Sequence, residues 1–224
     1  MRQPDPFLSP GEFVDSDAPS IRAFADAVTA GIEGEIPRAL ALYRAVRDDI
    51  AYEAYLDFHK PETYKASQVL ADRRGFCVGK AALLAACARA IGIPARVGYA
   101  DVKNHMTSKR LQEHLGSDVF IWHSYAELQL EGRWVKCTPA FDQRLCAKAG
   151  VAPLEFDGRT DSLFQPYSPD GRRHMEYLRD RGTFADVPFA TITADFDAFY
   201  PRMAGRRLEG TFASEVERKP SPGP

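Results

Sequence analysis

Two side chains in this sequence have the type and setting that nucleophilic chemistry requires, Cys77 and His123. Cys77 closes Arg73-Arg74-Gly75-Phe76-Cys77 and opens the almost wholly apolar run Val78–Ile91, so its thiol stands at the start of a predicted helix. Unpaired amide N–H groups and the helix dipole at such a position favour the thiolate over the thiol. His123 lies far downstream in Trp122-His123-Ser124-Tyr125-Ala126-Glu127, a segment patterned as a strand. An imidazole brought beside the thiol can hold or shuttle its proton, which is the requirement of a covalent thiol mechanism.

The elements that must bring these two together follow from apolar spacing and turn residues. Ile21–Thr29 reads as a helix. Pro37, at a first helical position, opens a second with Leu40, Tyr43, Val46 and Ile50 on one face. Ser67 is a candidate cap for a short helix through Asp72. The Cys77 helix ends near Ile91 at Gly92-Ile93-Pro94. Its many alanines and few polar positions predict a central helix covered on several sides. Ala95–Tyr99, Phe120–Leu130 and Trp134–Thr138 read as strands, with Glu131-Gly132 as the turn of a hairpin. Beyond Gly150 the signals weaken, with possible order over His174–Arg181 and Ala190–Tyr200.

Strand alternation puts His123, Tyr125, Glu127 and Gln129 on one face, and Trp122, Ser124, Ala126, Leu128 and Leu130 on the other. A two-residue Glu131-Gly132 loop sets Tyr125 opposite Thr138 and His123 opposite Ala140. Thr138 and His123 then share a face as diagonal neighbours. A slip of one residue would separate them.

At 224 residues the chain suffices for one domain over 1–217, with a core at about 39–142, an elaboration at 150–217 and a flexible tail at 218–224. A net charge of -2 gives no global attraction to nucleic acid or anionic lipid, so neither partner is expected. The N-terminus lacks the apolar stretch of a secretory signal. The longest apolar run is broken by Lys80 and Arg89 and is too short to span a bilayer, which predicts a cytoplasmic protein. Cys77, Cys87, Cys137 and Cys146 show neither CxxC spacing nor disulfide density, so reduced thiols, no metal and no cofactor are expected.

Several segments stand in one order between about Ala39 and Asp142. They are Gly75-Phe76-Cys77, the alanine-rich helix, Arg89-Ala90-Ile91-Gly92-Ile93-Pro94-Ala95-Arg96-Val97, His123-Ser124-Tyr125-Ala126-Glu127 and Trp134-Val135-Lys136-Cys137-Thr138-Pro139. This ordered set resembles the core of transglutaminase-like proteins, in a short bacterial-type form. Each fragment alone is unspecific, and the combination is not. The resemblance implies an α+β fold with a papain-like core, a central Cys-bearing helix packed on an antiparallel sheet. It makes Cys77 the nucleophile and His123 its base, and it asks for a carboxylate just before the proline of the last strand. Thr138 stands there instead. A neutral hydroxyl holds an imidazolium less well than a carboxylate does. Asp142, beyond Pro139, is therefore the preferred third member and Thr138 the weaker one, so Asp142→Asn should lower activity far more than Thr138→Val.

On this reading the protein is a thiol enzyme that takes an acyl group from a peptide, protein or small amide and passes it to water or an amine. A catalytically silent binding module with the same fold stays open beside it. Gln68 is a candidate oxyanion donor with the Cys77 N–H. The polar stretch Asp101–Asp118 is a candidate lid over the cleft. Cys87 and Cys137 read as packing residues rather than chemistry.

Overall fold

A helix that is apolar on every side can be stable only if other elements enclose it. In the computed structural model, which describes residues 5–104, 108–164, 175–200, 202 and 208–215, that helix is α4 (Cys77–Ala90), buried at every position from Cys77 through Arg89. On one side it packs against α1 (Pro19–Thr29), α2 (Glu35–Asp49) and α3 (Ala66–Asp72). On the other it meets an antiparallel sheet. Gly79 lets the segment before α3 come close, since a Cβ there would lie 2.8 Å from the Thr63 carbonyl oxygen.

The sheet runs β5-β4-β3-β6, formed by β3 (Ala95–Asn104), β4 (Val119–Leu130), β5 (Arg133–Cys137) and β6 (Met175–Phe184). The β4–β5 register is the one read from the sequence, with Leu130 opposite Arg133 and Ala126 opposite Cys137. Glu131 and Gly132 both take positive φ, 49° and 76°, as a tight two-residue hairpin turn demands. A parallel pair, β1 (Ala51–Tyr52) with β2 (Arg74–Gly75), sets Tyr52 beside Gly75, two residues before Cys77. Among the described residues there follow three further helices, α5 (Lys109–Leu115), α6 (Gln143–Ala149) and α7 (Phe189–Phe199), and a short turn α8 (Phe212–Glu215).

Some boundaries differ from the sequence reading. Helix α2 starts at Glu35, so Pro37 is its third residue. Ser67 does not cap α3; its own N–H is capped by Asp15, at 3.0 Å. Strand β3 continues five residues past Tyr99, because β6 pairs along its far edge. The ordered stretch expected at His174–Arg181 is this strand β6, with His174 itself outside the described residues. The stretch at Ala190–Tyr200 is α7. The tail expected at 218–224 lies outside the described residues. Among the described residues no helix is long and apolar enough to cross a membrane.

Lys80 and Arg89, the two cations that interrupt the apolar run, are buried and bind carbonyls of the surrounding shell. Lys80 Nζ donates to the carbonyls of Arg47, at 2.8 Å, and Ile50, at 2.5 Å, closing the C-terminal end of α2. Arg89 donates to the carbonyls of Ala95, Ser9 and Ala185. Burial draws the Lys80 pKa from 10.5 down to about 7, against the opposing pull of Asp142 and Asp48. Between those two values the unfolded chain holds a proton that the folded chain has released. Folding is therefore opposed below about pH 7, and the opposition fades as pH rises. In equilibrium urea unfolding the wild type is expected to gain stability from pH 7 to pH 9, while Lys80→Met, less stable at both, shows no such gain. Equal pH slopes in the two proteins would assign the effect to another group.

Candidate active site

Cys77 is the first residue of α4, and its side chain is 9% exposed. Burial lifts its pKa from 9.0 to about 11, against the N–H groups of Ser124, Val78 and Cys77 itself, which favour the thiolate. The helix start alone therefore does not yield the resting thiolate expected from the sequence. A helix terminus stabilises an anion by about 0.3–1 kcal/mol, whereas full burial shifts a pKa by up to several units, each worth about 1.4 kcal/mol.

The Ser124 N–H reaches the thiol because β5 stops early. Along β4 the odd-numbered residues bond toward β3, as the Gln129 N–H does to the Pro94 carbonyl at 2.8 Å, and the even-numbered ones bond toward β5. Continued pairing would set Ser124 opposite Pro139. Instead β5 ends at Cys137, and the Thr138 N–H turns away to the Ser162 carbonyl at 3.1 Å. The Ser124 N–H left over at this gap faces the Cys77 sulfur.

His123 is one residue earlier on the same strand. The β3–β4 register shifts by one between the pairs Ala100–His123 and Val102–Phe120, so β4 carries an extra residue opposite Asp101. Trp122 sits in this bulge with φ at 60°, a conformation costing a bulky residue about 1–3 kcal/mol. Simple alternation would send Trp122 and His123 to opposite faces. With the bulge, both line the same pocket as Cys77. His123 Nε2 is buried and has no hydrogen-bond partner among the described residues. Burial lowers the ring's pKa from 6.5 to about 4. At neutral pH the two groups are thus a thiol and a neutral imidazole whose Nε2 is unbonded among the described residues.

The other sequence candidates lie elsewhere. Both Asp142 oxygens accept backbone N–H groups, from Leu145 at 3.0 Å as the N-cap of α6 and from Tyr52 at 2.9 Å, and neither bonds the His123 ring. The reason is local, since an aspartate before Gln143-Arg144-Leu145 is a helix cap signature. Thr138 is buried, but its hydroxyl bonds nothing among the described residues. Gln68 is on the surface of α3, bonded to Asp72 at 2.9 Å. Cys87, Cys137 and Cys146 are free and buried. Residues 105–107 of the expected lid are outside the described residues, but Leu111 and Leu115 of α5 do line the pocket.

Sequence reasoning missed Tyr52. Its N–H is fixed by Asp142, and its ring is held edge-on between Phe141, at 4.8 Å, and Phe212, at 5.5 Å, facing the pocket. The signal was the strand-like Ile50-Ala51-Tyr52, too short to register. The pocket itself is about 70 Å³, and among the described residues no charged side chain lines it. Also among the described residues, no three His, Cys, Asp or Glu side chains form a metal-holding group.

A cysteine at the start of a buried helix, with a histidine from the packed antiparallel sheet in the same pocket, defines an α+β, papain-like core of the kind found in thiol enzymes. The sequence profile of the transglutaminase-like superfamily matches residues 22–139, and the chain belongs to that superfamily. Similar folds occur in a candidate cysteine protease from Cytophaga hutchinsonii, with a TM-score of 0.50 and 21% identity over 84% of this chain and 48% of that one. A candidate protease from Parabacteroides distasonis gives a TM-score of 0.41 and 15% identity, over 58% of this chain and 25% of that one. The chain thus spans about half the length of the first. No curated protein matches the sequence.

Removing a buried hydroxyl without a partner, in favour of a methyl of the same shape, removes a desolvation penalty of about 1–3 kcal/mol. Thr138→Val is expected to raise the thermal midpoint. Asp142→Ala is expected to lower it, by the loss of a cap worth about 1 kcal/mol and of the Tyr52 tether. A destabilised Thr138→Val would mean that the hydroxyl is bonded in solution.

Proposed function

We propose that this protein is a thiol-dependent acyl-transfer or amide-hydrolysing enzyme. Cys77 Sγ attacks the carbonyl carbon of an acyl donor as its proton passes to His123 Nε2. The tetrahedral intermediate collapses to a thioester, and the protonated imidazole returns the proton to the departing amine. Water or a second amine, deprotonated by the same nitrogen, then releases the acyl group. The observation that carries this reading is the buried Nε2 of His123, unbonded among the described residues, in the same pocket as the Cys77 thiol. The N–H groups of Ser124, Val78 and Cys77, which favour an anion at the sulfur, are the candidate donors to a developing oxyanion.

The substrate is a peptide, protein or small amide presenting an uncharged group, in keeping with a pocket lined by carbon and neutral polar atoms among the described residues. Four free, buried cysteines fit a reducing, cytoplasmic setting. One observation favours a second reading. No carboxylate bonds the His123 ring among the described residues, and the thiol rests protonated, as in a binding module that has lost its chemistry.

p-Nitrophenyl acetate, a small activated ester, separates the two. The enzyme reading expects a burst of one nitrophenolate per chain, acetyl on Cys77 by peptide mass spectrometry and no burst in Cys77→Ala. It expects His123→Ala to slow the burst by about 10²–10⁴. With a thiol pKa near 11 and an imidazole pKa near 4, general-base attack gives a burst rate flat from about pH 5 to 9. Attack by free thiolate would climb about tenfold per pH unit. No acetyl on Cys77 would establish the silent module, and a His123→Ala burst at the wild-type rate would remove His123 as the base.

A further inference from the structure

We infer that Asp101, Arg181 and Asp195 are positioning residues that hold His123 in place through Trp122. This rests on the reading of His123 as the proton acceptor for Cys77. The bulge that turns Trp122 and His123 into one pocket is a strained arrangement, and a strand free to relax would slip toward regular pairing. What prevents the slip is a closed ring of four hydrogen bonds. The Trp122 backbone N–H donates to Asp101 Oδ1 at 3.1 Å, and Arg181 Nε donates to the same oxygen at 2.5 Å. The Trp122 Nε1–H donates to Asp195 Oδ2 at 2.8 Å, and an Arg181 terminal nitrogen donates to that oxygen at 2.6 Å. Both donors of the tryptophan are thereby fixed to carboxylates, and one guanidinium bridges the two acids while lying 4.6 Å over the indole ring.

Solvent competes little for the centre of this ring, since the side chains of Asp101 and Arg181 are 10% and 12% exposed. Its members come from β3, β6 and α7, so three separate elements clamp β4 at the single residue before His123. A planar guanidinium can address both acids and the ring together; a lysine ammonium, a point charge on a flexible stem, cannot. Arg181 and Asp195 also lie beyond residues 22–139, the span of the superfamily profile. The C-terminal part of the chain therefore completes a site whose reacting groups lie in the core.

The test uses the full chain and p-nitrophenyl acetate, with Arg181→Met, Arg181→Lys, Asp195→Asn and His123→Ala, and Arg159→Met at the exposed Arg159–Glu131 pair as control. Arg181→Met is expected to slow Cys77 acetylation about tenfold or more and to replace the flat pH profile by a rate that climbs with pH, because the base is no longer in place. Arg181→Lys should not restore it, and Arg159→Met should behave as wild type. Should Arg181→Met fail to fold, Asp195→Asn, at a side chain 39% exposed, carries the test with a smaller slowing of about threefold and the same change of profile. Folded Arg181→Met and Asp195→Asn proteins with wild-type rate and profile, beside a slow His123→Ala, would overturn this inference and leave the proposed function standing. A His123→Ala protein at the wild-type rate would overturn both.

Discussion

The rest of the structure depends on the burial of α4. Its residues offer no polar face, so the chain must supply helices on one side and a sheet on the other, and the thiol at its first turn is enclosed with it. Even the two cations of this helix work inward. Lys80 and Arg89 satisfy carbonyls that the packing would otherwise leave bare, at the end of α2 and at the junction of the N-terminal segment with β3. An unpaired buried carbonyl costs about as much as a lost hydrogen bond. These long side chains therefore fix where the surrounding elements sit as well as neutralising their own burial.

Enclosure also sets the electrostatics of the site. Burial raises the thiol pKa and lowers the imidazole pKa, each away from its charged form, so the resting state is neutral on both sides. An ion pair of thiolate and imidazolium would need a polar or charged environment that the aromatic pocket does not supply among the described residues. In the proposed mechanism proton transfer and carbon–sulfur bond formation therefore belong to one event, for which the placement of Nε2 relative to the sulfur matters more than either pKa.

Charged groups outside the pocket fix backbone. Asp142 holds the first turn of α6 and the Tyr52 N–H, and Asp186 accepts from the N–H groups of Glu12, Phe13 and Val14 to fasten the entry segment. Glu53 accepts from the Phe212 N–H at 3.0 Å, which seats the last described turn against the pocket. Each carboxylate accepts from at least two backbone donors at once, which ties separate segments of the chain together.

The sequence by itself determined the helix that carries Cys77 and the hairpin register around Glu131-Gly132. Each of these rests on a local pattern: apolar run, turn residues, strand period. Tertiary structure decided what those patterns do not encode. Trp122 leaves the strand period because Asp101, Arg181 and Asp195, distant in sequence, converge on it. Asp142, whose cap of α6 is local, is held in addition by the Tyr52 N–H, 90 residues away in sequence. The thiol stays protonated because burial depends on how many elements surround the helix start, a property of the packed fold that no local spacing records.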